Sequence, residues 1–382
     1  MGPTAHIDPW VATAAAEIAE RAERELEALV AVSSPSGDVR AAEEAIAVAS
    51  ALLPAAAELE RPACSSPDHA ADLLALVRGT GTGRILLLGH LDTVIAHGEH
   101  RALERRDGRL LGSGTADMKG GVVLSLGVLR ALAERSAAYA EAALLLVVDE
   151  EWRTRPFHHV ERFAGWDACL CFEAGERGPD GEEGVVVRRK AAGTLRVQAR
   201  GAASHSGSAP DRGRNALLAI AAAAARVAEL HDPAGPDRLT AVPTIAHSGE
   251  AFNVVPAAGE LFCDLRADRI DAFAAVREAV PEEVGGAALS AEMIRLWPGM
   301  DSRATTRDAL ERASARLGRP VVGMERGGAS DASHIAPVVP VTIDGLGPRG
   351  GGAHTPEEFV RADSLGARAE VALALSAAVL DA

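Results

Sequence analysis

The chain has 382 residues, 48% of them apolar, which is enough for two domains that each bury a core and speaks against a disordered protein. Its 54 acidic against 39 basic residues give a formal charge of -15, which repels phosphate backbones and excludes a basic stripe for nucleic acid. No uncharged apolar run reaches the roughly 18 residues that cross a bilayer. The opening MGPTAHIDPW has no basic stretch followed by an apolar one, so a cytoplasmic protein without a membrane partner is expected.

Trp10 to Val32 carries apolar residues at helical spacing with charges between them, and Ser33 to Asp38 breaks the pattern with Pro and Gly. The spacing predicts an opening amphipathic helix. Short continuous apolar runs follow, Ile85 to Leu88, Ala143 to Val148 and Ala168 to Phe172, separated by helical stretches such as Met118 to Ala133. Buried parallel strands of an α/β sheet read this way. Cys169 and Cys171 fall in the third run and read as buried strand residues rather than a soft-metal site. With Cys64 and Cys263 they are too scattered for a disulfide framework.

After Gly184 the texture changes. Thr194 to Arg200 alternates as TLRVQAR, a helix is expected from Asn215 to Leu230, and strands near Ala241 to Ile245 and Leu261 to Ala267 precede a helix at Asp271 to Val280 and a strand at Ala288 to Leu296. That order suits a small ferredoxin-like α+β domain. From about Ala304 the first texture returns, with a helix near Arg307 to Leu317, a strand at Val338 to Ile343 and a closing helix from Asp363 to Leu380. The expected architecture is α/β: a catalytic domain with a mixed, mostly parallel sheet in two parts, residues 1–188 and 304–382, interrupted by an inserted lid domain at residues 189–303.

Four apolar runs end in, or lead to, His, Glu or Asp, side-chain types able to bind metals. RILLLGHLDTV ends in His90 and Asp92, which share a face if the strand continues. There an imidazole could bind a metal while Asp92 holds its other ring nitrogen, although a capping or turn role is an equal reading. Asp117 follows a Gly-rich loop at a helix start, where a plain N-cap is the common role. ALLLVVDEE delivers Asp149, Glu150 and Glu151 together, carboxylates that repel one another unless a positive charge compensates, and a metal would supply it. Neighbouring strand residues face opposite ways, so the chain must bend there for Glu150 and Glu151 to reach one site. ACLCFE ends in Glu173, and VPVTIDGLGPRGGGAHTPEE carries a strand through glycines to His354, with Glu357 and Glu358 close by. Open α/β sheets place their sites at the carboxyl ends of strands.

GHLDTV, GSGTADMKGG, VVDEE, CFEAGE, GAASHSG, FNVVP, GGASDA and GAHTPEE occur in the order seen in the co-catalytic zinc aminoacyl hydrolases. The chain resembles that family from about residue 30 to its end, and looks most like the glutamate carboxypeptidase branch because of FEAGE and GAASHSGSAP followed by GRNAL. Other members are acetylornithine deacetylase, succinyl-diaminopimelate desuccinylase, aminoacylases and di- and tripeptidases. The resemblance implies that His90 and Glu173 complete the shell of one divalent ion and Glu151 and His354 that of a second. Asp117 would bridge the pair, Asp92 would orient His90, and Glu150 would be the general base. His205, in the inserted domain, would stabilise the oxyanion, in some members across a dimer. Asn253 and Arg266 are implied in substrate binding, Gly328 and Ser330 in lining the cleft, and a homodimer through the inserted domain is implied as well.

A mix of imidazole and carboxylate ligands suits zinc first, with cobalt or manganese as alternatives. The expected function is that of a di-metal, carboxypeptidase-like hydrolase cleaving the amide bond of a peptide or N-acyl amino acid. A biosynthetic deacylase such as acetylornithine deacetylase is the competing reading. Two stretches depart from the family: WRTRPFHHV follows Glu151 where a small Gly-Ser turn is usual, and IRLWPGM, with Arg295, stands where glutamate carboxypeptidase has a substrate arginine. The remaining histidines, among them His6, His97, His100 and His159, match no ligand position and are expected to be solvated or hydrogen-bonded.

Overall fold

A computed structural model describes residues 7–381. The opening MGPTAH, which holds His6 and part of the stretch behind the leader-peptide expectation, lies outside them. Two compact units make up the chain: one of Met1–Arg188, Met300–Arg326 and Ser330–Ala382, the other of Arg189–Gly299 and Gly327–Ala329.

The first unit opens with helix α1 (Pro9–Val30), started by Pro9 and by Asp8, whose carboxylate accepts from Trp10 N at 2.9 Å. Its inner stripe, Val11, Ile18, Leu26 and Leu29, is buried. Helix α2 (Val39–Ala51) is capped in the same way by Asp38. Strands β1 (Glu58–Glu60), β2 (Leu73–Arg78), β3 (Gly83–His90), β4 (Tyr139–Val147) and β5 (Ala168–Cys171) follow, with helix α3 (Gly120–Ala133) between β3 and β4.

In the second unit, strand β6 (Ala191–Arg200), helix α4 (Ala216–Ala228), strands β7 (Thr240–Ser248) and β8 (Ala258–Ala267), helix α5 (Ala272–Glu278) and strand β9 (Ala287–Trp297) form an antiparallel sheet of order β7-β8-β6-β9, with the short strand Glu283–Val284 beyond β9. Alternation along β6 sends Leu195, Val197 and Ala199 into a core with Ile220 and Val227 of α4 and Phe273 and Val276 of α5. Asn215 caps α4 by accepting from Leu217 N at 3.0 Å.

The chain then returns to the first unit with helix α6 (Arg303–Leu317), helix α7 (Ala332–Ile335), strand β10 (Val341–Ile343) and helix α8 (Ser364–Leu380). The main sheet has the order β1-β2-β4-β3-β5-β10. β3 runs parallel to β4 and β5, β10 runs parallel to β5, and the β1 and β2 edge is antiparallel. Both faces of the central strands are covered. Ile85 and Leu87 pack into one core, Leu86 and Leu88 into another, and Cys169 and Cys171 are buried in the second. This is why these runs show no polar alternation. Truncating Leu87 to Ala would open a cavity costing about 2–5 kcal/mol. Among the described residues, no helix is long and apolar enough to cross a membrane.

Candidate metal centre

The parallel strands deliver their carboxyl ends to one place. β3 ends at His90, the turn after β4 carries Asp149, Glu150 and Glu151, and Glu173 lies just beyond β5. Regular strand geometry stops at Val147, which frees Glu150 and Glu151 from facing opposite sides. After β10 a glycine-rich loop leads into a hairpin, Gly350–Gly351 paired with Phe359–Val360, whose tip holds His354 at a positive φ of 65°. That hairpin pairs with the short strand Arg109–Leu111, which brings His354 beside the loop of Asp117.

Asp117 is the centre of the arrangement. Its Oδ1 lies 3.1 Å from His90 Nε2 and its Oδ2 lies 3.1 Å from His354 Nε2. Glu173 Oε1 is 3.7 Å from His90 Nε2, and Glu151 Oε2 is 3.3 Å from His354 Nε2. Two triads result, His90, Asp117 and Glu173, and Asp117, Glu151 and His354, each with donor atoms within 4.8 Å of one another. Asp117 makes no N-cap hydrogen bond to α3.

Asp92 works through both its main chain and its side chain. His90 Nδ1 donates to the Asp92 carbonyl at 3.0 Å, with the carboxylate at 3.4 Å. The two carboxylate oxygens accept from Glu150 N at 3.2 Å and Glu151 N at 3.1 Å. One aspartate thus fixes the ring and the turn that presents both glutamates.

The charges are unbalanced. Burial first, then Asp331, Glu173 and Glu151, push the Glu150 carboxyl well above the usual range against the pull of His90. Asp117 and then Glu151 hold His354 protonated up to about 10. Burial opposes charge on His90, yet Asp117 and Asp92 keep it well above its ordinary value. Glu151 Oε1 is buried without a hydrogen-bond partner. An acidic cluster with a leftover acceptor and two imidazoles fits a pair of divalent cations; His90 and Glu173 would hold one, Glu151 and His354 the other, and Asp117 would serve both.

Two residues without a role in the sequence reading brace the site. Glu358 is buried and accepts from Gly114 N (2.8 Å), Ala116 N (2.8 Å) and Asp117 N (2.9 Å), so the hairpin bearing His354 also shapes the Asp117 loop. Gly114 has a φ of 75°, a left-handed turn that suits glycine. Helix α3 presses on the end of β5: a Cβ at Gly121 would lie 1.8 Å from the Phe172 carbonyl oxygen. The second residue is Arg153. The stretch that departs from a Gly-Ser turn leaves Trp152 exposed and buries Arg153 completely. Arg153 Nη2 donates to Asp149 Oδ1 at 2.7 Å, and its two terminal nitrogens donate to the two oxygens of Asp331. The expectation that a metal balances Asp149 is therefore corrected. Against burial, Arg153 holds that carboxyl down at about 2.

A third close group, Cys64, Asp72 and Asp149, has its carboxylates filled by protein. Asp72 accepts from Val148 N at 3.1 Å and from His159 at 2.7 Å, while Asp149 accepts from Arg153 and from Ser66 N. We read it as a hydrogen-bonded network. His159 and His97 are engaged in hydrogen bonds, as expected of residues outside the ligand set.

In the second unit His205 is exposed, and Gly207 N and Ser208 N donate to its Nδ1 at 3.1 and 3.2 Å. The neutral ring therefore carries its proton on Nε2. Asn253 is exposed, with its carbonyl accepting from Ser206 N, and Arg266 pairs with Asp264 at 2.9 Å. Gly328 is exposed and accepts from Arg189. Ser330, in the first unit, is fully buried, and its hydroxyl donates to Asp344 at 2.5 Å and braces the loop.

Residues 86–378 match the family described as Peptidase family M20/M25/M40. The chain belongs to this family. It is 28% identical over 299 residues to carboxypeptidase G2 of Pseudomonas sp. (strain RS-16), covering 74% of this chain and 71% of that one. It is 29% identical over 311 residues to succinyl-diaminopimelate desuccinylase of Xylella fastidiosa (strain 9a5c), covering 74% and 80%. In fold it is similar to aminopeptidase PepT from Bacillus cereus ATCC 10987, with a TM-score of 0.75 at 22% identity, over 94% of this chain and 98% of that one. It is also similar to the M20 family metallo-carboxypeptidase Sso-CP2 from Sulfolobus solfataricus, with a TM-score of 0.73 at 15% identity, over 94% and 99%. Family membership makes the chain a metal-dependent hydrolase, in line with the resemblance read from its motifs.

Proposed function

We propose that the chain cleaves the amide bond of a peptide or N-acyl amino acid beside a free carboxylate, in the manner of a carboxypeptidase. The observation that carries this reading is the pair of triads sharing Asp117, each oxygen 3.1 Å from a different histidine. Carboxypeptidase G2 among the relatives supports the substrate class. Two divalent ions, zinc first with cobalt or manganese as alternatives, would lower the pKa of water and polarise the scissile carbonyl.

Glu150 takes the proton of the attacking water at its carboxylate and returns it to the departing nitrogen. Glu150 is buried on the turn held by Asp92 and belongs to neither triad, which leaves its carboxylate available to accept and release a proton. His205 donates from Nε2 to the carbonyl oxygen as negative charge develops, a contribution of about 3 to 4 kcal/mol for one donor of this kind. Its main-chain partners at Nδ1 support that tautomer. Asn253 and Arg266 are proposed substrate contacts of the second unit.

A homodimer through the second unit belongs to the same reading. Leu217 and Leu218 of α4 and Val242 and Ile245 of the edge strand β7 are exposed apolar side chains, and an edge strand offers unpaired main-chain groups to a second copy. Light scattering showing a monomer at micromolar concentration would remove it.

The desuccinylase relative supports a second reading, hydrolysis of an N-acyl group from a diamino acid. Metal-loaded protein assayed on folate-type glutamyl substrates, dipeptides, N-acetylornithine and N-succinyl-diaminopimelate separates the two. Turnover of the peptides and glutamyl compounds supports the first. Turnover confined to the N-acyl diamino acids replaces it with the second.

A further inference from the structure

The turn that carries Glu150 is gripped from two directions. On one side the Asp92 carboxylate accepts from the main-chain N–H of Glu150 and Glu151. On the other, the side chain of Asp149 is held by Arg153, which donates to Asp149 Oδ1 from Nε at 3.0 Å and from Nη2 at 2.7 Å. The same guanidinium reaches across to Asp331, at the start of α7, with Nη1 on one oxygen and Nη2 on the other. Asp331 makes no side-chain cap hydrogen bond to α7, although it stands at the cap position. The guanidinium also lies 4.5 Å over the ring of Phe157, and Ser66 N donates to the remaining oxygen of Asp149 at 2.9 Å.

Arg153 and Asp149 are fully buried and Asp331 is nearly so. Desolvating an arginine and two carboxylates costs several kcal/mol per ion, so such a cluster is a poor way to gain stability. It is a good way to fix geometry. A planar guanidinium forks onto carboxylates in a defined direction, which neither a lysine nor an apolar side chain reproduces.

We propose that Arg153 is a positioning residue for the catalytic base, joining Asp149 to Asp331 so that the turn projects Glu150 at a fixed place. The inference rests on Glu150 being the base, as argued above. It also gives a function to the stretch after Glu151 that departs from the family's small turn. Catalytic groups must be held to within about half an ångström, and a misplacement of about 1 Å costs on the order of 100-fold in rate.

The test uses the full chain loaded with zinc or cobalt, with kcat, KM and metal content measured on the same preparations, and with the folded fraction counted. Arg153→Met removes the fork while keeping an apolar filler. It is expected to lower kcat about 10- to 100-fold, with KM and metal content those of the wild type. Arg153→Lys restores a point charge and is expected to recover part of that loss. Should Arg153→Met fail to fold, Asp331→Asn carries the same expectation. Wild-type kcat per folded, metal-loaded molecule in Arg153→Met would overturn the proposal. So would a loss of kcat matched by an equal loss of metal. Glu150→Gln serves as the separate control: activity retained there removes the base assignment itself, whatever Arg153 does.

Discussion

Asp117 turns one carboxylate oxygen to His90 and the other to His354, each at 3.1 Å, although the two histidines are separated by most of the first unit's chain. A single short side chain therefore couples the end of β3 to the hairpin after β10. Replacing it removes a ligand from both triads at once. Asp117→Ala is expected to drop metal content from two ions per chain to one or none, read by elemental analysis after gel filtration. Two retained ions would show that the carboxylate is not shared.

Glu150 is set apart from the ligands, with no place in either triad. Glu150→Gln is expected to keep both ions and lose about 10²- to 10⁴-fold in kcat, the usual weight of a positioned base. Isothermal titration with cobalt checks the first part and steady-state kinetics the second.

Glu358 satisfies the N–H groups of Gly114, Ala116 and Asp117. In Glu358→Gln an amide nitrogen would face at least one of these donors, leaving a buried group unpaired at a cost of about 1–3 kcal/mol. Chemical unfolding of the metal-free protein measures this. Because the Asp117 loop loosens, metal affinity is expected to fall about 10- to 100-fold as well. Unchanged stability and affinity would show that the loop holds itself.

The role proposed for His205 is to meet charge that exists only in the transition state. His205→Ala is expected to lower kcat by about 10²- to 10³-fold with little change in KM. A change confined to KM would make it a substrate-binding group.

All four cysteines are buried. Burial raises the thiols of Cys64 and Cys169, and that of Cys263 to about 11. At pH 8 the reactive thiolate of these three is therefore scarce, and all four thiols are shielded. Ellman's reagent is expected to find no fast thiol in the native protein and four after unfolding. A rapid stoichiometric reaction would contradict the buried-strand reading of Cys169 and Cys171.

Much of this was legible in the sequence because burial on both faces writes itself as unbroken apolar runs. Ile85 to Leu88 and Ala168 to Phe172 could be placed as central strands, and the polar residues that stop them, His90 and Glu173, fell at the site end of the sheet. The bend before Glu150 and Glu151 followed from strand alternation alone. What brings partners together across the fold left no local mark. Arg153 stands out in sequence only as an odd residue after Glu151, since its partner Asp331 is 178 positions away. The charge that balances Asp149 was consequently assigned to a metal. Glu358 acts through main-chain N–H groups, which every residue but proline offers, so its composition and spacing carried no signal of that role. The buried position of Ser330 was equally hidden, because its hydroxyl partner Asp344 belongs to the end of the next strand.

Two divalent ions are proposed to share Asp117. A crystal of zinc-loaded protein, measured for anomalous scattering at the zinc edge, tests it most directly. Two peaks are expected flanking the Asp117 carboxylate, one contacted by His90 and Glu173, the other by Glu151 and His354. One peak elsewhere, or none between these side chains at full zinc loading, would contradict it.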